Sequence, residues 1–339
     1  MFIIATIGFN SLTEEKNRKI ILAGADIIRY NFAYHKISSN IEYVKMGKKV
    51  IEELNSTTKI MIDLPSHKVR LGYFDDVMLT VKENQELIIK SSEYSTDCLD
   101  FLPVETENIG LKVKSNQTIT IGDGEVAIKV EEIIDEKTIK IRVLNNGVIK
   151  AMKTFNAGLY YEDDVYLKKC QGIIEKIKNL DPDYLAISYL SGDNFNKKIT
   201  GLTKNNQITQ KIIGKIETEL TEEEIENIYT DPFYNMVIVD LGELGVNLPF
   251  EKLGTYYKKI MTIANKYNKK TIAMTQIMES AINNYTPNRA EIINLTNMVK
   301  DGIDGIVLCH ETALGDRPSY TIHVAKKIIN EAQKQKYAI

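Results

Sequence analysis

The stretch KIIGKIETE, residues 211–219, joins two features that rarely share a strand. Its start, KIIGKI, is a short β-branched run suited to a buried strand, yet Lys215 and Glu217 are two residues apart and therefore project to the same side, inward. A buried face holds a lysine and a carboxylate only where they pair with each other or bind something. Two readings are open. One is a buried ion pair; the other makes Glu217 a metal ligand and Lys215 a cation aimed at an anionic substrate.

Seven further runs resemble this strand: FIIATI (2–7), IIRYNF (27–32), KIMIDL (59–64), YLAISY (184–189), MVIVDL (236–241), KTIAMT (270–275) and GIVLCH (305–310). Near-continuous apolar runs belong to a parallel sheet covered on both faces. Amphipathic segments fill the gaps. LTEEKNRKIILAG (12–24) opens in a Thr-x-x-Lys cap region and stops at Gly24, YYKKIMTIANKYNKK (256–270) carries apolar residues at helical spacing, and YTIHVAKKIINEAQKQK (320–336) suits a last helix. About eight strands alternating with helices predict an α/β fold, a (β/α)8 TIM barrel.

One interval breaks the rhythm. From about residue 73 to residue 157 the helical period disappears, and Val/Ile/Thr-rich runs such as QTITIG, VAIKVEEI and KTIKIRVL alternate with DG, DE and NNG turn signals. This predicts a small all-β domain, barrel-like and lid-like, inserted over 73–157 after the third strand, with the catalytic barrel formed by 1–72 and 158–339.

Composition excludes several classes. The 339 residues carry 43 basic and 46 acidic side chains, a net charge of −3, which gives no electrostatic footprint for nucleic acid or an anionic membrane. No run approaches the roughly 20 apolar residues of a membrane helix, and the opening MFIIATIGFN has no basic n-region or cleavage pattern. Cys98, Cys170 and Cys309 are scattered without metal spacing, and a reducing cytoplasm is the expectation.

In a barrel of this type the reactive groups stand where strands finish. The sequence puts polar groups at most of those ends: Arg29 and Asn31, Asp63, Ser188, Lys215 and Glu217, Glu243, Thr275, and His310 with Glu311. Each alone reads as a solvated loop residue; their recurrence points to a site. Glu217 and Glu243, two carboxylates leaving positions open for water and an anionic substrate, suit Mg²⁺.

Six ordered blocks resemble the pyruvate kinase family: TIGFNS (6–11), GADIIRYNFAYH (24–35), IIGKIET (212–218), LGELGVNLP (241–249), MTQIMESAINNYTPNRAE (274–291) and MVKDGIDGIVLCHETALGDRP (298–318). The resemblance implies that Arg29 contacts the transferred phosphoryl group, Lys215 stabilises its transition state and Glu217 and Glu243 hold Mg²⁺. It also sets Thr275 against the enolpyruvate, with the backbone at Gly242 meeting the carboxylate. Glu243 stands where the family has Asp. Arg70, Lys153 and Asn31 match positions on the nucleotide side, whereas the family's Pro, His, Arg and Lys there are Phe9, Tyr34, Leu241 and Leu314. Family members that use K⁺ surround it with Asn, Ser, Asp and Thr and carry a Glu nearby; members that do without it have Lys for that Glu. Here Asn31 and Asp63 remain, Ala33 and Leu64 replace the Ser and Thr, and Lys68 takes the Glu position, so K⁺ is not expected to be required. His35, His67 and His310 occupy positions where the family has Gly, Pro and Gly, either as loop histidines or as a rebuilt phosphate rim.

The implied activity is a cytoplasmic, glycolytic, Mg-dependent phosphotransfer between phosphoenolpyruvate and ADP giving pyruvate and ATP. The alternatives are an enzyme on the same scaffold handling enolpyruvate or oxaloacetate without ADP, and a catalytically silent metabolite sensor. The chain is expected to be a short, divergent member without the family's C-terminal domain, and any oligomer, such as a homodimer, is expected to form through barrel helices.

Overall fold

The computed structural model describes residues 1–34, 36–66, 68–75, 78–159, 163–190 and 192–336. The eight apolar runs become strands β1 (Phe2–Ile7), β2 (Ile27–Asn31), β3 (Lys59–Asp63), β4 (Tyr184–Ile187), β5 (Lys211–Ile216), β6 (Tyr234–Asp240), β7 (Thr271–Met274) and β8 (Gly305–Leu308). They pair in parallel and in chain order, and β8 returns to β1 with Ile3 opposite Ile306, closing the expected barrel. Helices α1 (Glu14–Leu22), α2 (Ile37–Glu53), α3 (Asp163–Ile177), α4 (Gly192–Asn205), α5 (Glu222–Thr230), α6 (Leu253–Tyr267), α7 (Arg289–Lys300) and α8 (Pro318–Lys336) follow the strands in turn. Helix α1 starts where Thr13 Oγ1 accepts the N–H of Lys16 and ends before Gly24, whose φ of +90° favours glycine.

A period of two along each strand builds the barrel's layers. Ile4, Ile27, Met61, Ala186, Ile213, Ile238, Ile272 and Val307, one from each strand, belong to a single buried apolar cluster that fills the interior. Two residues further along, all eight positions on the same inward register carry a polar or sulfur-bearing side chain: Thr6, Arg29, Asp63, Ser188, Lys215, Asp240, Met274 and Cys309. Six of the eight sequence-predicted runs overshoot the observed strand ends, because residues such as Tyr189 (φ +62°) and Thr275 (φ +72°) leave the ladder to start loops.

At the opposite end a second pattern ties the strands in pairs. Asp26, Asp183, Asn235 and Asp304 accept the backbone N–H groups of Ile3, Ile60, Ile212 and Thr271 at 2.8, 2.9, 2.9 and 2.8 Å. Each even-numbered strand thus supplies, at or just before its start, an acceptor for a donor of its odd-numbered neighbour that would otherwise lack a partner at the barrel's edge.

Residues 67–166 form a unit of their own, the other being 1–66 with 167–339. The sequence-expected boundaries, 72/73 and 157/158, therefore fall inside this unit. The reason is backbone pairing: Arg70 bridges Thr154, Leu71 bridges Val104, and Val69 N–H donates to Leu159 O, all within the unit. Its main sheet runs Phe155–Asn156, Thr118–Ile121, Val126–Asp135, Thr138–Val143, Glu86–Ser91, Leu102–Val104, and two further ribbons pair Gly147–Lys150 with Met78–Val81 and Tyr73–Phe74 with Tyr94–Ser95. Residues 69–72 bridge both end strands of this sheet: Leu71 stands opposite Val104 and Gly72 N–H donates to Pro103 O on one side, while Arg70 stands opposite Thr154 and Val69 O accepts from Phe155 N–H on the other. One short helix, Ile109–Lys112, accompanies the strands.

The paired caps predict a selective stability effect. Asp304→Ala strands the N–H of the buried Thr271 and should cost about 1–3 kcal/mol in urea unfolding. Asp304→Asn, which keeps an acceptor oxygen, should cost clearly less; equal stability of the two variants would contradict this role.

Candidate functional site

The inward polar layer gathers into one ionic cluster at the C-terminal mouth of the barrel. Arg29 is buried and donates from Nε (2.8 Å) and Nη2 (2.7 Å) to Asp63 Oδ2 and from Nη1 (2.9 Å) to Thr6 Oγ1. Lys215 Nζ lies 3.3 Å from the same Asp63 oxygen and 2.7 Å from Glu217 Oε1. The side-by-side placement of Lys215 and Glu217 read from their spacing is what the structure has. Asp63 carries both cations.

Beside this chain stands a residue that the reading of strand ends passed over. Asp240 ends β6 on the inward register, two residues after Ile238, and its Oδ1 accepts from Thr275 Oγ1 at 2.7 Å and from the N–H of Glu243 at 3.3 Å. The strand reading ran on to Leu241 and took Glu243 as the carboxylate at this end; counting by two from Ile238 points to Asp240 instead. Thr275 is held with a left-handed backbone, followed by Gln276 in the same region, a costly state for a β-branched residue. Gly242 makes room for it, since a Cβ there would fall 2.4 Å from Thr275 Cγ2.

Electrostatics follow from burial. Burial pulls the Lys215 ammonium down, but Asp63, Glu217 and Asp240 outweigh it and hold the group charged well above neutrality. Arg29 is likewise raised: Asp63, Cys309 and Asp240 outweigh its burial. Glu217 goes the other way. Burial, against the opposing pull of Lys215 and with the added repulsion of Asp240 and Glu243, pushes its carboxyl up to about 8. Asp240 is raised for the same first reason, burial, and the Cys309 thiol is pushed up to about 12 by burial, which makes it inert.

The cluster has two cations, Arg29 and Lys215, and four carboxylates, Asp63, Glu217, Asp240 and Glu243, a formal excess of two negative charges when all are ionised. Glu217 Oε2 and Asp63 Oδ1 are buried without a hydrogen-bond partner among the described residues. An orphaned carboxylate oxygen in a negative pocket fits a divalent cation. No group of three or more His, Cys, Asp or Glu among the described residues is arranged to hold a metal alone. Water and a substrate would have to complete the coordination, as Mg²⁺ favours.

Other sequence-predicted residues have different commitments. Asn31 Oδ1 accepts from the N–H of Ala33, and Ser188 Oγ donates to Leu64 O. Glu311 is buried, accepts from the N–H groups of Met278 and Cys309, and ties two loops. His310 Nδ1 lies 3.1 Å from Glu279 Oε1, both about one-third exposed. His35 and His67 lie outside the described residues. Arg70, Lys153 and Lys68 belong to the β unit: Arg70 Nη1 donates to Met152 O, Lys153 pairs with Glu125 at 2.8 Å, and Lys68 is buried.

A closed (β/α)8 barrel with an ionic cluster at its strand ends defines the class of scaffold. The chain belongs to the pyruvate kinase family: the profile for "Pyruvate kinase, barrel domain" matches residues 1–322. Relatives include pyruvate kinases of Buchnera aphidicola, 29% identical, and Thermotoga maritima, 26% identical; each alignment covers 98% of this chain and 69% and 71% of the relative. The solved structure of Cryptosporidium parvum pyruvate kinase in complex with ADP is similar over 98% of this chain and 67% of that one, with a TM-score of 0.88 and 25% identity. Among the described residues no helix is long and apolar enough to cross a membrane.

The raised Glu217 carboxyl gives a pH prediction. A carboxyl whose pKa is higher in the folded than in the unfolded chain contributes stability below the unfolded value and loses it as pH rises toward 8. In the absence of divalent cations, Glu217→Gln should gain on the parent between about pH 5 and pH 9, by on the order of 2 kcal/mol. Mg²⁺ should shrink the gap by neutralising the parent's carboxylate. A pH-independent gap in thermal unfolding would contradict the assignment.

Proposed function

We propose that the chain is a pyruvate kinase-type phosphotransferase acting on phosphoenolpyruvate and ADP in the presence of Mg²⁺. The observation that carries this reading is the mouth cluster: two fixed buried cations for a phosphoryl group beside an orphaned Glu217 oxygen for a divalent ion. Phosphoryl transfer needs little covalent chemistry from the protein, only positioning and charge neutralisation.

In this reading Arg29 and Lys215 face the phosphoryl oxygens, each held in place through Asp63. Glu217 and Glu243 would hold Mg²⁺, which would supply charge neutralisation for the anionic substrate. The phosphorus–enol oxygen bond breaks as a bond to the terminal ADP oxygen forms, and the enolate takes up a proton at carbon to become pyruvate. Thr275 lies against the enolpyruvate. Because its hydroxyl hydrogen is directed to Asp240 Oδ1, it presents lone pairs to the ligand, and Asp240 fixes that orientation. Arg70 and Lys153 would serve the nucleotide side.

A second reading is favoured by the exposed apolar side chains Phe9 and Leu314, which stand where the family's nucleotide contacts are polar or conformationally fixed. It keeps the enolpyruvate half and dispenses with ADP. Steady-state release of pyruvate from phosphoenolpyruvate, with and without ADP, separates the two: dependence on ADP supports the kinase, and independence the alternative.

Lys215→Met should lower kcat by at least about a thousandfold, several kcal/mol of barrier from one preorganised cation, while Mg²⁺-dependent binding of oxalate stays measurable by calorimetry. A near-normal kcat would remove Lys215 from the reaction. The position of Lys68 gives a further expectation. Its covalent ammonium stands in for the monovalent ion, so activity in K⁺ should match that in tetramethylammonium at equal ionic strength, and strong activation by K⁺ would overturn this assignment.

A further inference from the structure

The inward register that makes the mouth also continues below the apolar core. Phe2, Lys59, Tyr184 and Lys270 precede Ile4, Met61, Ala186 and Ile272 by two residues and point into the N-terminal end of the same barrel. There they line a cavity of about 400 Å³, within the range of small-molecule sites. Its charge is lopsided. Lys59, Lys270 and Lys326 face it with one carboxylate, Asp26, whose Oδ2 is already occupied by the N–H of Ile3. Lys59 pairs with Asp183 at 3.1 Å, whereas Lys270 and Lys326 are in no ion pair among the described residues. Lys326 comes from α8, and its Nζ rests against Gly24 in space that no other residue would leave: a Cβ there would fall 1.9 Å from it. Ser56 and Thr57 add hydroxyls, and Phe2 and Tyr184 supply an apolar wall.

We propose that this cavity is a second ligand site, for a small organic anion bearing two or more phosphate or carboxylate groups. A single anionic group would engage one lysine and be screened at so open a position. A multivalent ligand spans the separate ammonium groups and lays its carbon skeleton on the aromatic wall. The concentration of positive charge is local, in a chain whose net charge is −3. The site is separate from the mouth cluster: β3 begins at Lys59 in the cavity and ends at Asp63 in the cluster, a span of roughly 13 Å. It therefore stands whatever reaction the mouth performs.

Lysine acetylation read by mass spectrometry, with pyrophosphate or citrate as the probe at constant ionic strength, tests the site. Pyrophosphate or citrate should slow modification of Lys270 and Lys326 several-fold, while Lys258 and Lys334, surface lysines paired with Asp301 and Glu331, are unaffected. Protection by pyrophosphate alone identifies a phosphate-ester ligand, by citrate alone a polycarboxylate, and by both the shared anion chemistry. In calorimetry the Lys270→Glu/Lys326→Glu variant should bind the protecting probe at least about tenfold more weakly, and Lys215→Met should bind it like the parent. No protection by either probe, uniform protection of all four lysines, or binding abolished by Lys215→Met but not by the charge reversals would overturn the proposal. Both reversed lysines are solvent-accessible, and matching thermal unfolding of variant and parent shows that any loss is of binding.

Discussion

One carboxylate oxygen, Asp63 Oδ2, holds both buried cations of the barrel mouth, taking two donors from Arg29 and one contact from Lys215. Without it Arg29 would be left with the neutral Thr6 hydroxyl and Lys215 with Glu217, and an underpaired buried charge is costly. The constraint runs through the fold. Asp63, Arg29 and Lys215 come from three different strands, and only a closed barrel with its strands in this register brings the three inward side chains to one point. Removing the Asp63 carboxylate would leave two like charges facing each other, a loss typically of 3–5 kcal/mol or more for a broken buried pair.

The apolar layer beneath makes the cluster stiff. Ile4, Ile27, Met61, Ala186, Ile213, Ile238, Ile272 and Val307 are each two residues before the mouth position of their strand and are buried almost completely. A close-packed plug transmits position, so the cations above it sit on fixed stems while the variable geometry is confined to the loops. The strain lies in those loops. Thr275 and Gln276 occupy left-handed conformations that are stabilised by Asp240 on one side and by the missing Cβ of Gly242 on the other.

Most of the barrel was legible because its signal is redundant: eight apolar runs, each independently strand-like, and a β insertion whose DG and DE turns fall at observed hairpins, while NNG leads into a ribbon with Met78–Val81. The Lys215–Glu217 pair was legible because spacing alone fixes a shared face. Asp240 was not, since an aspartate at the end of VIVD reads as a loop residue until the register is counted from Ile238. The Asp26, Asp183, Asn235 and Asp304 caps escaped for a related reason. Each alone looks like a turn residue, and only the pairing of neighbouring strands shows that all four meet a stranded N–H. Ser188 and Glu311 count among the polar strand ends in sequence but bond to loop backbone, a commitment made in three dimensions. The β unit extends beyond 73–157 because residues 69–71 join it through isolated bridges, which leave no periodic signal in the sequence.

The same alternation that fills the barrel leaves charge at its two ends, and the groups lining the two sites there differ in balance, although Asp183 pairs with Lys59 beside the N-terminal cavity. The N-terminal cavity holds three ammonium groups against one carboxylate, whereas the mouth holds two cations against four carboxylates. On the proposed reading this imbalance at the mouth sets an order of events. A phosphate ester approaching Arg29 and Lys215 also meets Glu217, Asp240 and Glu243, and like charges in a poorly solvated layer repel strongly. Protonation of Glu217 relieves part of that repulsion in the empty site, since its carboxyl is pushed up to about 8. A divalent cation relieves more, and it does so at the oxygen that lacks a partner. The anion can then dock only where the cation has replaced the proton, so metal and substrate binding become mutually dependent, with the carboxylate excess as the physical link between them.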